Sequence, residues 1–135
     1  MEDCRLEMKK MGDGLRSFED LEVWRLARKV VNAVYALTRD SRLGKDFGLC
    51  SQIQRAAVSI MSNIAEGFER HNVQEKIQFY NISRGSCGEV RSLLYVVVDN
   101  YVGLSENATS LRELVMQTGR LITGLIQSTQ NRKKK

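Results

Sequence analysis

The stretch LCSQIQRAAVSIMSNIAEGF, residues 49–68, decides the fold of this 135-residue chain. Its apolar residues recur at intervals of three and four, which places them on one face of an α-helix. That face is formed by Leu49, Ile53, Ala56, Ile60, Ile64 and Phe68. The pattern therefore predicts a helix from about residue 47 to about residue 70.

The same periodicity predicts one helix before this stretch and two after it. The first runs from about Ser17 or Glu19 to Asp40, the third over residues 73–102, and the fourth over residues 105–130. Only short links separate these helices, which is typical of consecutive helices that fold back on one another. The chain contains no proline, which favours uninterrupted helices. We therefore predict an all-α fold, an antiparallel up-down-up-down four-helix bundle.

Capping residues mark the ends of these helices. Ser17 is followed three residues later by Asp20, and Asn72 is followed three residues later by Glu75. Both pairs are typical of helix N-termini, because each can satisfy backbone N–H groups of a first turn. Gly103 is placed to end the third helix, since glycine tolerates the left-handed backbone of a C-terminal cap.

The third helix has the most regular apolar spacing of the chain and one anomaly. Members of its stripe recur at intervals of three and four, so they are expected to face the core. Two of them, Arg84 and Arg91, are charged, which is unusual for buried positions. The full stripe is Ile77, Tyr80, Arg84, Cys87, Arg91, Leu94, Val98 and Tyr101.

Positive charge is concentrated at the C-terminus. The chain has a net charge of +5, and the four residues Arg132–Lys135 are all basic. We divide the chain into a flexible leader (1–17), a helical bundle (18–131) and this basic tail (132–135). The tail either contacts RNA phosphates without regard to sequence or simply keeps the last helix soluble. The candidate RNA-binding residues are Arg132, Lys133, Lys134 and Lys135.

The reactive side chains do not form a catalytic or metal-binding pattern. The single histidine, His71, excludes sites with two histidine ligands, and Cys4, Cys50 and Cys87 lack the spacing of zinc or disulfide motifs. Cys87 falls on the third-helix stripe, where an inert buried thiol is expected. No glycine-rich nucleotide-binding loop occurs. We therefore expect no enzymatic activity, no cofactor and no metal.

Targeting signals are also missing from the sequence. No apolar run approaches the roughly 20 residues that a membrane span needs. Glu2, Asp3 and Glu7 interrupt the start of the chain, which argues against a signal peptide. We therefore expect a cytoplasmic protein with reduced cysteines and no membrane partner.

Polar residues that a plain bundle does not require follow the second and third helices. Glycine within a helix costs about 0.5–1 kcal/mol relative to alanine. Gly67, Gly85 and Gly88 therefore need a reason, and close approach of another helix or ligand is the usual one. The polar strip is either a solvated face or, as we prefer, a closely packed surface between subunits or against RNA. The candidate interface residues are Arg55, Ser59, Asn63, Glu66, Gly85 and Glu89.

Two members of this set carry opposite charges but are too far apart to pair. Arg55 and Glu66 are separated by about three turns, or about 16 Å, along a straight helix. Each is therefore expected to find its partner on another helix or another subunit.

Several segments resemble one known family. They are FEDLEVW at residues 18–24, QIQRAAVSI at 52–60, NIAEGF at 63–68, and Gly85-Ser86 followed by Glu89. These segments are similar to the small four-helix-bundle proteins encoded within intervening sequences of bacterial 23S rRNA genes.

This resemblance covers about residues 18–128, with departures at Arg84, Cys87 and Gly88. It implies a cytosolic, ring-like homopentamer. A related branch comprises the accessory proteins of diversity-generating retroelements, which work with a reverse transcriptase and its RNA.

Three hypotheses about function follow. The first is a non-enzymatic, homo-oligomeric, RNA-associated protein whose several basic tails bind RNA together through avidity. The second is a retroelement accessory protein that binds a reverse transcriptase and its RNA, and the third is a purely structural oligomer. The sequence does not separate the first hypothesis from the second. The position of the gene, either beside a reverse transcriptase or inside an rRNA gene, would distinguish them.

Overall fold

The computed structural model describes residues 15–133. Four α-helices occupy most of this range, and single 3₁₀ turns at Phe18–Asp20 and Leu43–Lys45 precede the first two. The described residues form no strand, so the predicted all-α fold with four helices is confirmed. The helices are α1, Glu22–Leu37; α2, Phe47–Glu69; α3, Val73–Asn100; and α4, Ser105–Lys133.

The predicted leader and tail lie largely outside this range. Residues 1–14 and 134–135, together with the side chain of Lys133, fall outside the described residues. At the described edges, Leu15 packs against the hydrophobic core and Arg132 belongs to α4. Packing of the helical unit therefore begins before residue 18, and α4 continues into the predicted tail.

The four helices share one hydrophobic core. Each helix packs against the next along the chain, and α1 also packs against α4. The apolar face predicted for α2 is the face that enters this core: four of its members are buried, and Leu49 and Phe68 are half-buried against it. The buried members are Ile53, Ala56, Ile60 and Ile64.

The first helix is shorter than its periodicity predicts. The Asp20 carboxylate accepts the backbone N–H groups of Arg16 at 3.1 Å and Ser17 at 3.3 Å, so the predicted cap forms on a 3₁₀ turn. Leu21 then adopts an extended backbone, and α1 starts only after it. At the other end, the Asp40 carboxylate accepts two backbone N–H groups of the following loop and stabilises a turn there.

The junction between α2 and α3 is held by two capping side chains. As predicted, the Asn72 side chain accepts the backbone N–H groups of Gln74 at 2.8 Å and Glu75 at 3.3 Å. On the other side of the junction, the Lys76 ammonium donates to the carbonyl of Phe68 at 2.7 Å. A cation on the last carbonyls of a helix satisfies acceptors that lack an intrahelical partner.

The predicted core stripe of α3 is wrong at its two arginines. Arg84 and Arg91 are exposed, whereas Ser83 is fully buried. Both frames have the same three–four spacing, and they share Tyr80, Cys87 and Leu94, so spacing alone could not choose between them. The Ser83 hydroxyl donates to the Ile60 carbonyl of α2 at 2.7 Å, which satisfies it in the core. The buried residues of α3 are Tyr80, Ser83, Ser86, Cys87, Val90, Leu94 and Val97.

The loops at the other end of α2 and α3 are also joined. The Tyr101 hydroxyl donates to the Asp46 carboxylate at 2.7 Å, and Arg42 donates to the carbonyl of Val102. Gly103 follows with a φ of +96°, the left-handed backbone predicted for it, although it lies three residues beyond the end of α3.

Candidate functional site

The six predicted interface residues lie along one side of α2 and α3, which we call the α2–α3 face: Arg55, Ser59, Asn63, Glu66, Gly85 and Glu89. Arg55, Glu66, Gly85 and Glu89 are exposed, and the other two are half-buried. The structure brings Arg55, Ser59 and Glu89 to one shallow depression of about 410 Å³ between the two helices. Whether a second subunit covers this face remains a prediction.

One residue of this face connects the two helices of the protomer, and a second residue supports it from the same helix. The hydroxyls of Ser59 and Ser86 are 2.8 Å apart and join α2 to α3. The Asn63 amide donates to the Ser59 carbonyl at 2.8 Å and to its hydroxyl at 3.0 Å. Ser59 and Asn63 therefore have a structural role in the protomer, and Ser86 is a polar contact that sequence reasoning missed.

The two charged residues of α2 behave differently. Glu66 accepts from Arg70 at 2.6 Å, one turn along the chain, so within the protomer its partner does not lie on another helix, and a partner on another subunit remains a prediction. Arg70 also lies over the Phe79 ring at 4.7 Å, which holds it in place. Arg55 forms no hydrogen bond or ion pair with any residue of the described range.

The three helical glycines separate into two kinds. A Cβ added at Gly67 would lie 2.6 Å from the Tyr80 ring, so close approach of α3 explains this glycine. A Cβ added at Gly85 or Gly88 would meet nothing within 4 Å. Packing inside the protomer therefore gives no reason for these two exposed glycines.

A second surface lies on the opposite flank of α3. It is a groove of about 290 Å³ between α3 and α4, which we call the α3–α4 groove. The two arginines of the predicted core stripe lie in this groove. Charged residues within an apolar pattern were the sequence signal that could have located it. Its polar and glycine lining comprises Arg84, Gly88, Arg91, Gly119, Arg120 and Thr123.

The two described cysteines are buried thiols. Burial raises the pKa of the Cys87 thiol to about 12, and burial also raises the pKa of Cys50, whose Sγ donates to the Leu43 carbonyl at 3.1 Å. A thiol with a raised pKa is a poor nucleophile, because the thiolate is the reactive form. Within residues 15–133, no group of three or more His, Cys, Asp or Glu side chains is arranged to hold a metal. No helix in that range is long and apolar enough to span a membrane.

Cys87 is expected to resist thiol reagents in the folded protein. A pKa of about 12 in place of the ordinary 9.0 lowers its thiolate fraction at pH 8 by about a thousandfold. A Cys4→Ser/Cys50→Ser variant isolates this thiol for measurement with a chromogenic disulfide reagent, and the urea-unfolded variant supplies the control rate. Equal rates in the folded and unfolded variant would show that Cys87 is accessible and reactive.

These features define a small all-α protein with two exposed polar surfaces. A family model described as 23S rRNA-intervening sequence protein matches residues 19–124. The chain belongs to this family, which confirms the resemblance found in its second-helix motif.

A solved structure shares this fold. It is the crystal structure of a protein with unknown function from the S23 ribosomal protein family of Bacteroides thetaiotaomicron, with a TM-score of 0.65. The two chains are 22% identical, and the match covers 77% of this chain and 94% of that one. At this identity the likeness concerns the fold alone. No curated protein matches the chain.

Proposed function

We propose that this chain is a non-enzymatic, cytoplasmic protein that assembles into a ring-like homo-oligomer, a pentamer, and associates with structured RNA. It needs no cofactor, and its partners are its own copies and RNA. The observation that carries the proposal is the α2–α3 face, where Arg55 forms no ion pair with the described residues and the exposed Gly85 is not required by packing inside the protomer. The net charge of +5 supports an RNA partner.

Each protomer is, in this proposal, an antiparallel up-down-up-down bundle. Hydrogen bonds at both ends of the α2–α3 pair support this topology. Lys76 near the start of α3 contacts the last residues of α2, and Tyr101 after the end of α3 contacts Asp46 before the start of α2. Short links at both other junctions favour the same direction reversal.

A subunit contact along the α2–α3 face would account for Gly85. Small residues let two helices approach closely, and an exposed glycine weakens its own helix by about 0.5–1 kcal/mol unless it serves such a contact. Arg55 and Glu66 supply opposite charges along the same face. Across a ring, Arg55 of one protomer can therefore face Glu66 of its neighbour.

The RNA partner is tested by the salt dependence of binding. A fluorescently labelled, structured fragment of 23S rRNA is titrated with the purified protein between 25 and 200 mM salt. We expect binding that weakens steeply as salt rises, because cations on the protein release counterions from phosphates. Undetectable binding at the lowest salt would overturn the RNA part of the proposal.

Removal of the basic tail is expected to weaken RNA binding and leave the fold intact. Arg132 is exposed, so a chain that ends at Asn131 loses positive charge and little burial. The slope of log affinity against log salt should fall by up to about 0.9 per lost duplex phosphate contact, or about 0.7 for single strands. Thermal melting by circular dichroism checks the fold, and an unchanged slope would place the binding surface on the helical body.

A further inference from the structure

We propose that the α3–α4 groove holds phosphate groups of the RNA backbone, an inference that rests on the proposed RNA association. The groove lies on the helical body of the protein, on the flank of α3 opposite the α2–α3 face. Arg84 and Arg91 line it from α3, and Arg120 lines it from α4. The guanidinium groups of Arg84 and Arg91 concentrate positive charge at this depression of about 290 Å³.

The positive charges of Arg84 and Arg91 are not neutralised by ion pairs within the described part of the chain. Arg84 donates to the neutral oxygens Asn81 Oδ1 at 2.8 Å and Thr123 Oγ1 at 3.3 Å. These bonds hold the guanidinium across the groove and leave its full charge available to an anion.

A fourth arginine extends the positive surface towards the start of α4. The Arg112 guanidinium lies over the Tyr95 ring at 4.9 Å, which joins α4 to α3, and none of residues 15–133 forms an ion pair with it. Arg84, Arg91 and Tyr95 repeat along one flank of α3, so Arg112 continues their line. A row of cations of this length suits a chain of phosphates better than a single small anion.

Glycines give the groove its depth. A Cβ on Gly88 would meet nothing within 4 Å, and one on Gly119 would only touch the Cβ of Cys87 at 4.0 Å. Neither glycine is required by close packing, yet each costs helix stability. Their missing side chains open the floor between the arginines, so that a phosphate can approach the helix surface and accept paired N–H bonds from a guanidinium.

Charge-neutral variants test the groove against a matched control. The double variant Arg84→Gln/Arg91→Gln removes two charges from the groove. Arg28→Gln/Arg39→Gln removes two charges from exposed arginines of α1 and the loop after it. Binding of a labelled hairpin RNA is measured from 25 to 200 mM salt for wild type and both variants. The groove variant should lose roughly tenfold or more in affinity and about 1.4–1.8 in salt slope, while the control stays within about twofold of wild type.

A second variant separates the shape of the groove from its charge. Gly88→Gln keeps every charge but places a side chain into open space, and glutamine favours a helix more than glycine does. We expect a loss of affinity at an unchanged melting temperature or a higher one. Wild-type affinity in this variant would place the phosphates outside the groove.

The outcomes distinguish this proposal from the one on which it rests. Absence of RNA binding by the wild-type protein overturns the RNA association and the groove together. If the wild-type protein binds RNA and the groove and control variants lose affinity equally, or both keep it, the role of the groove is overturned. The RNA association then stands. A change of oligomeric mass in the groove variant, measured by light scattering, would assign the arginines to a protein contact and overturn their role towards RNA.

Discussion

Gly67→Ala is expected to destabilise the protein by about 1–3 kcal/mol, although alanine is the better helix former. The new Cβ would lie 2.6 Å from Cε1 and 2.8 Å from Cδ1 of the Tyr80 ring, and 3.1 Å from the Lys76 carbonyl oxygen. Tyr80 is 1% exposed, so a shift of its ring away from the new Cβ would disturb its packing in the core. The strain therefore outweighs the gain of about 0.5–1 kcal/mol that alanine brings to a helix.

Gly88→Ala is the matched control for this prediction. It makes the same change in the middle of a neighbouring helix, but its Cβ would meet nothing within 4 Å. It should stabilise the protein by about 0.5–1 kcal/mol. Urea unfolding followed by circular dichroism, at one protein concentration, measures both variants. Equal stability of Gly67→Ala and wild type would mean that Tyr80 does not pack on Gly67.

The elements predicted well from sequence are those whose signal is local and strong. The isoleucines of α2 fix its buried face, because no alternative frame places so many large apolar residues on one side. Asn72 caps α3 as predicted, because its side chain bonds the turn that follows it directly and this contact does not depend on the rest of the fold. The start of α1 was less predictable: the cap at Ser17 served a 3₁₀ turn, and Leu21 delayed the helix.

The frame of α3 depended on information that one helix does not contain. Ser83 is buried because a carbonyl of Ile60 on α2 accepts its hydrogen bond. That contact exists only when the two helices are packed, so spacing along α3 could not exclude the wrong frame with Arg84 and Arg91 inside. Compared with the predicted frame, α3 is rotated about its axis, and this rotation places both arginines at the α3–α4 groove.

Some features of the α2–α3 face could likewise be predicted from the sequence, and others could not. The polar side of α2 was recognisable from helical spacing, and Gly67 marked the close approach of α3. The sequence could not show that Ser59 forms a hydrogen bond with Ser86 across the two helices, or that Arg70 forms an ion pair with Glu66. Such partners depend on side-chain geometry rather than on residue type. Arg55, which is exposed and forms no ion pair with residues 15–133, is the member that still needs a partner.

Glu66→Lys is expected to dissociate the proposed oligomer and leave the helical content nearly unchanged. In the protomer this change removes only an exposed pair with Arg70, worth about 0.3–0.5 kcal/mol, and replaces it with a mild repulsion at the same spacing. In the oligomer it would set a lysine against Arg55 of the neighbouring protomer. The cost there is about 3–5 kcal/mol where the charges are desolvated and about 1 kcal/mol or less at an exposed rim.

Light scattering for mass and circular dichroism for helicity measure the two parts of this prediction. Glu106→Lys, an exposed residue in the first turn of α4, makes the same charge change away from the α2–α3 face and should keep the full mass. The exchange Arg55→Glu/Glu66→Lys restores opposite charges across the contact, so it should recover the oligomer that Glu66→Lys loses. A wild-type monomer, or a Glu66→Lys protein of full oligomeric mass, would exclude Glu66 from the subunit contact. Failure of the exchange to restore the mass would exclude Arg55 as its partner.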